Sequence, residues 1–322
     1  MTKKRYTMLL IILTAGLIGL SIIAMFIGSR GASIPEGAVF TYRLNRLILA
    51  AIAGSALATS GASLQALFRN PLADPHLFGI SGGAALGACV TIAFFSNYTM
   101  ILPTVGAIIG GFISFFVIFF YLRKSKNTAL GNYLLIGVLL NALTAAFITL
   151  LKITLPAQKT QSLLFWLVGN ISAIDPAYFF IIIPVWFIGM TSLWSIKGKL
   201  EILSFGLDES QALGINTKVT IKQSIAANCM LIGMTTAFVG LIGFLGLVIP
   251  HCMRLLFHAN VRFLLPLSAI GGALVMVFFD SLSRLSFFFF QSEIPSGALS
   301  ALVLSPLFFG LLLIDRHDRT YH

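Results

Sequence analysis

The hydrophobic positions of this chain fall in long unbroken runs, and its polar residues gather in the short gaps between them. A half-buried strand would alternate, and a surface helix would carry a single apolar stripe. The run YTMLLIILTAGLIGLSIIAMF at 6–26 does neither. A segment apolar on every side belongs in lipid, and about 20 residues of helix cross the roughly 30 Å hydrocarbon core. On that measure the sequence predicts ten spans, at roughly 7–27, 48–67, 79–96, 101–121, 131–152, 177–196, 219–240, 244–257, 264–284 and 298–314. The eighth is short and interrupted by Pro250, so it is expected to stop short of a full crossing. A transmembrane β-barrel would instead alternate over segments of about ten residues, a pattern absent here.

Composition agrees with an all-α polytopic membrane protein. Of 322 residues, 58% are hydrophobic and 10% charged, with mean hydropathy +0.97. A soluble domain carries about 25% charged residues. No loop between spans exceeds about 25 residues, so residues 1–322 are expected to form one transmembrane domain, with its longest inner segment at about 200–217. MTKKRY precedes an apolar run longer than a signal-peptide core, without a small-x-small cleavage site, and is expected to lead a retained first span. Cys89, Cys229 and Cys252 lie inside apolar runs without CxxC spacing and are expected to act as small buried hydrophobes, with no disulfide or metal site.

Charge changes the picture by fixing direction. With the N-terminus inside, the inner pieces carry fifteen cations: Lys3, Lys4, Arg5, Arg69, Arg123, Lys124, Lys126, Lys197, Lys199, Lys218, Lys222, Arg254, Arg262, Arg316 and Arg319. The outer pieces carry six: Arg30, Arg43, Arg46, Lys152, Lys159 and Arg284. This bias places both termini in the cytoplasm. It also accounts for the net charge of +11 without nucleic acid.

Four polar clusters interrupt the apolar runs. In QALFRNPLADPHLFGISG at 65–82, Pro71 and Pro75 turn Asn70 and Asp74 away from helical geometry. Irregular backbone at membrane depth persists only where protein or a water-filled cavity satisfies it. Asn70, Pro71 and Leu72, with the small residues Gly79, Gly82 and Gly83 beyond them, are candidates for a pathway or gate; the alternative is a packed structural turn. In GLIGFLGLVIPHCMRLLF at 240–257, Gly243 and Gly246 are expected to loosen the helix and Pro250 to break it, leaving Pro250, His251 and Arg254 as a cytoplasmic hinge or docking surface. Arg43 and Arg46, three apart in TYRLNRLIL, share a helix face, and Arg284 ends the ninth span. They are read either as interfacial cations, Arg284 pairing with Asp280 at i,i+4, or as sockets for carboxylates of an external partner. The inner segment KGKLEILSFGLDESQALGINTK offers Asp208 as a helix cap with Gln211 in capping-box spacing and Gly214 as a left-handed stop. Such a short helix suits docking to another protein or serves as a plain connector.

What is missing narrows the function. No GxxxxGK[ST] loop and no HExxH occurs, so the chain neither binds ATP through a P-loop nor carries that zinc motif. No catalytic residue is assigned, and the chain is read as no enzyme. Intramembrane acids are few, Asp280 chief among them, which disfavours a carboxylate proton relay.

RLNR, AGSALATSGASLQALFRNPLADPHLFGISGGAALGA, LDESQALGI, GLIGFLGLVIPHCMRLL and EIPSGALSALVLSPLFFGLLL, in that order, resemble the FecCD-type permeases of binding-protein-dependent ABC importers for iron–siderophore, haem and cobalamin. The resemblance covers nearly the whole chain. Where the family commonly has R-x-P-R, this chain has Asn45 in place of the proline, a departure expected to loosen a turn there. It implies a type II importer permease with ten helices, paired as a homodimer or heterodimer in the bacterial inner membrane. Two cytoplasmic ATP-binding subunits would hold the ATP and magnesium, so this chain itself would bind no cofactor. A periplasmic or lipid-anchored binding protein would deliver the cargo. By the same resemblance, Arg43, Arg46 and Arg284 receive acidic side chains of that protein. Leu207, Asp208, Glu209, Ser210, Gln211, Ala212, Leu213 and Gly214 couple to the ATPase. Asn70 and Leu72 lie near the cytoplasmic constriction. An iron chelate is the expected cargo, with cobalamin or an oxyanion as alternatives; an ion-coupled secondary transporter working alone is the rival from another class.

Overall fold

A computed structural model describes residues 3–28, 31–32, 34–95, 101–124, 130–257 and 259–319; Arg30 and Lys126, counted above for orientation, lie outside them. The chain folds into helices α1 (Lys3–Phe26), α2 (Gly37–Phe68), α3 (Ile80–Phe94), α4 (Ile101–Lys124), α5 (Leu130–Thr154), α6 (Ala157–Val168), α7 (Phe179–Ser195), α8 (Lys197–Leu203), α9 (Leu207–Ala212), α10 (Thr217–Val239), α11 (Leu245–Phe257), α12 (Val261–Phe290) and α13 (Ser296–Arg319). Single 3₁₀ turns precede α3 (Pro75–Phe78) and α7 (Pro176–Tyr178), and a two-residue antiparallel pair, Ile27–Gly28 with Gly31–Ala32, follows α1. Six helices are long and apolar enough to cross a membrane, and three shorter apolar ones join them. With α10, these account for the ten predicted spans; α6 was not anticipated.

The core is built around α2, which is buried along most of its length, while α1 lies outside with most side chains turned outward. Lipid provides no hydrophobic drive between helices, so close packing needs small residues. Gly54 meets the backbone of Gly272 in α12, and Gly61 meets the backbone of Gly246 in α11. A methyl group at either would collide with main chain. That explains why the most buried helix is written in Ala, Gly, Ser and Thr and not in large apolar residues.

Three expectations need correction. α2 begins at Gly37, well before position 48, so Arg43, Asn45 and Arg46 sit inside a helix. Asn45 loosens no turn; it is buried and its amide approaches the Ile174 carbonyl at 3.5 Å. Pro250 does not break α11, which continues through it. A proline removes the amide that would bond the carbonyl four residues back. Here that carbonyl is Gly246, which lies against the bare Cα of Gly61. The irregular backbone comes earlier, at 240–244, between α10 and α11.

Candidate functional site

α12 has 30 residues and so is about 45 Å long. Near its start Arg262 pairs with Glu201 of α8 at 2.9 Å; near its end lies a cluster of buried charge. Arg46 is 1% exposed and donates from Nε to Asp280 Oδ1 at 2.6 Å and from Nη1 to Glu293 Oε2 at 2.8 Å. Arg284 pairs with the other Asp280 oxygen at 3.2 Å, the i,i+4 pair the spacing suggested. Its Nη1 also donates to the carbonyls of Ala24 and Ile27, each at 2.9 Å. Arg43 donates to the Met25 carbonyl at 2.7 Å, and its guanidinium packs across Gly28, where any side chain would collide.

Two of the three predicted sockets thus close the C-terminal end of α1, where carbonyls lack helical partners and the helix dipole is negative. All three arginines are buried. Asp280 is also buried, whereas Glu293, in the loop before α13, is 29% exposed. Sequence reading missed Glu293, whose partner lies 247 residues away. The signal available was an acid just after a span that ends in arginine.

At the other end of α12, α8 and α9 form a short hooked segment. Asp208 does not cap α9. Gly206 occupies the N-cap, and Asp208 and Glu209 fill the first turn, favourable to the helix dipole. Ser210, fully buried, donates its hydroxyl to the Gly206 carbonyl and lies 3.1 Å from the Ile202 carbonyl, fastening α9 to α8. Gln211 reaches Thr217 Oγ1 at 3.4 Å, and Gly214 takes the expected left-handed conformation at φ 77°. Leu213 points outward, as does Phe205 at the α8–α9 corner.

Between the two ends, the 65–82 stretch makes an ordered re-entry. Arg69 ends α2 in a left-handed conformation. Asn70 Oδ1 accepts from the Leu72 amide at 2.9 Å, leaving Leu72 exposed beyond Pro71. Asp74 Oδ1 accepts from the His76 amide at 2.7 Å and starts the 3₁₀ turn, and Gly79, at φ 81°, opens α3. His76 Nε2 lies 2.7 Å from the Ile242 carbonyl, and Asn141 of α5 donates to the His76 carbonyl at 2.7 Å. These contacts tie the turn to α5 and to the irregular 240–244 segment. Beside them opens a cavity of about 570 Å³, lined by Asp74, His76, Gly82, Asn141, Thr144 and apolar residues including Leu247. Of the small residues proposed for the pathway, Gly82 lines this cavity, Gly79 packs on Gly137 of α5, and Gly83 faces Gly110 and Ser114 of α4. His76 and Asn141, absent from the sequence-based set, were signalled only by being polar at membrane depth.

His251 is buried with its ring edge-on to Phe308 of α13, centroids 5.4 Å apart. Arg254 donates to Gln65 Oε1 at 3.2 Å, while Gln65 donates to the Leu247 carbonyl at 3.1 Å. The Pro250–Arg254 stretch therefore clamps α11 to α2 and α13 from within, and His251 offers no docking surface. Gly79–Gly83 spells G-x-S-x-G, a motif that sequence reading overlooked and took to be absent. A nucleophile elbow needs a strand-to-helix turn, whereas Ser81 is buried in the first turn of α3 and donates to the His76 carbonyl at 3.4 Å. No group of three or more His, Cys, Asp or Glu positioned to hold a metal occurs among the described residues.

Long apolar helices around a small-residue core, interrupted beside a cavity, are the architecture of a multi-pass membrane protein. A profile of the FecCD transport family matches residues 6–314, and the chain belongs to that family of ABC importer permeases. It is 34% identical to the hemin transport system permease protein HmuU of Yersinia pestis, over 86% of this chain and 84% of the relative. It is likewise 34% identical to the vitamin B12 import system permease protein BtuC of Vibrio vulnificus, over 98% of this chain and 96% of the relative. A solved structure described as an inward-facing metal-chelate type ABC transporter superposes with a TM-score of 0.85 at 31% identity, covering 96% of this chain and 99% of that one. Permeases of this family work in dimeric assemblies with ATP-binding and substrate-binding partners; the ATPase is a separate subunit.

Proposed function

We propose that two copies of this chain form the conduit of an importer that carries an iron chelate, a siderophore complex or haem, across the bacterial inner membrane. The observation that carries the cargo reading is the cavity of about 570 Å³, whose wall is apolar but for Asp74, His76, Ser81, Asn141 and Thr144 and includes no Lys or Arg among the described residues. A bulky ligand of mixed polarity suits such a wall, because a conduit must bind weakly enough to release. An oxyanion would call for cations or free donors. The match to the hemin permease supports the same reading. Cobalamin is the second reading, favoured by the near-complete coverage of the vitamin B12 permease.

Orientation follows from the charge bias, with both termini, α8–α9 and the Asn70–Leu72 turn on the cytoplasmic side and Arg46 outside. ATP closes the ATPase pair, residues 207–214 receive that displacement, and the His76 ties pass it to the cavity. The ATP and its magnesium would sit in the partner ATPase, so the cycle calls for no cofactor on this chain. The test is reconstitution of the chain with its ATPase and substrate-binding protein in vesicles, offered ferric siderophore, haem or cobalamin. ATP-dependent uptake of an iron chelate is expected; selective uptake of cobalamin selects the second reading. Uptake by the permease alone, driven by an ion gradient, overturns the importer reading.

A further inference from the structure

Arg46 cannot be reached from outside while its neighbours stay in place, so any external carboxylate must displace one of them. Asp280 is a poor candidate. It is buried and held by both Arg46 and Arg284. Glu293 differs on each count. It is 29% exposed, its carboxylate pairs with Arg46 alone among the described residues, and it sits in the short 291–295 loop between α12 and α13. Its oxygen occupies Nη1, which lies 3.4 Å from the Tyr42 hydroxyl on the first turns of α2.

We propose that Glu293 is a built-in competitor: it holds the outward-facing side of Arg46 until an acidic side chain of the substrate-binding protein takes its place. The exchange replaces one charge-assisted hydrogen bond with another, so it demands no uncompensated buried charge at any stage. Asp280 stays bonded to Nε throughout and keeps the guanidinium oriented. Glu293 is released into water, while Ser283 and Ser286 still hold the loop by the backbone of Ile294 and Ser292. Docking would then be read at the junction of α12 and α13 as the loss of the Glu293 tie alone. This rests on the docking reading of Arg46, which the experiment checks separately.

The permease in lipid nanodiscs is titrated with its cognate substrate-binding protein. Glu293→Gln, a change at a half-exposed loop, is expected to tighten binding about tenfold, since a competing charged hydrogen bond is removed. It should also speed labelling of Arg46 by phenylglyoxal, read by mass spectrometry. Arg46→Lys, which keeps the charge beside Asp280 but loses the planar fork, is expected to weaken binding. If Arg46→Lys weakens binding while Glu293→Gln leaves it unchanged or weaker, the exchange is overturned and docking at Arg46 stands. If binding ignores both substitutions, docking at Arg46 fails, and the exchange fails with it.

Discussion

At the C-terminal end of α12, Arg46 and Asp280 are each 1% exposed and bonded to partners within the chain. At its N-terminal end, the α8–α9 segment turns Phe205 (71% exposed) and Leu213 (69%) outward beside the acidic first turn of α9. The C-terminal end buries and satisfies its charge, although the phenylalanines at 288–290 beside it are exposed; the N-terminal end sets exposed Phe205 and Leu213 beside an acidic turn. Exposed apolar side chains beside an acidic turn gain when a partner covers them. A buried ion cluster needs no outside help, though it can exchange a member. On the reading proposed above, the two ends would engage partners by different physics, coverage at the α8–α9 end and substitution at Arg46.

The largest effect expected from breaking this contrast is at Asp280. Asp280→Asn leaves Arg46 and Arg284 buried with only Glu293 nearby as an anion, and removing one partner of a buried pair costs about 3–5 kcal/mol. Thermal unfolding in detergent should shift down by many degrees. A melting point within a degree of the wild type would mean that the outer charges are not holding α1, α2 and α12 together. The same substitution should barely alter affinity for the ATP-binding partner of the isolated, still-folded fraction.

At the other end the order reverses. Leu213→Asp should leave the isolated chain as stable as before, because the side chain touches little. It should weaken capture of the ATP-binding subunit by about 30-fold or more, the loss of a central apolar anchor of about 2 kcal/mol. Co-purification at graded salt measures it. If assembly survives the aspartate while Asp280→Asn abolishes it, the contact lies elsewhere.

How far the sequence could be read follows the same divide. The ten helices were legible because burial in lipid leaves a run apolar on all sides, and that needs no knowledge of neighbours. The left-handed stop at Gly214 was legible because it is local. The roles of Arg43 and Arg284 were not: their acceptors are carbonyls of Ala24, Met25 and Ile27, up to 260 residues distant, and a carbonyl has no letter. Pro250 misled for a related reason. A proline's effect depends on what meets the carbonyl it strands, and here Gly61 of another helix does. Asp208 was mistaken for a cap because an acceptable start falls at either of two positions two residues apart, and only the backbone at Gly206 chooses between them.

The smallest effect tests whether the inner segment is a rigid part or merely an exposed one. Ser210 is fully buried within an otherwise exposed turn, and its hydroxyl bridges toward the Gly206 and Ile202 carbonyls. A six-residue helix cannot hold itself in water, since nucleation outweighs so few bonds. Its order must come from such contacts and from Leu200 and Leu203 beneath it, both buried. Ser210→Ala should therefore cost about 1 kcal/mol locally, too little to move global unfolding. Amides of 207–213 should exchange with deuterium about fivefold faster, with α12 unchanged. A coupling element must be stiff to pass on a push, so the same variant should lower ATP-driven uptake while leaving ATPase binding near normal. Unaltered exchange would place the stiffness in the α8 packing alone; unaltered uptake despite faster exchange would mean that displacement enters the membrane by another route, the Arg262–Glu201 contact on α12 being the next to remove.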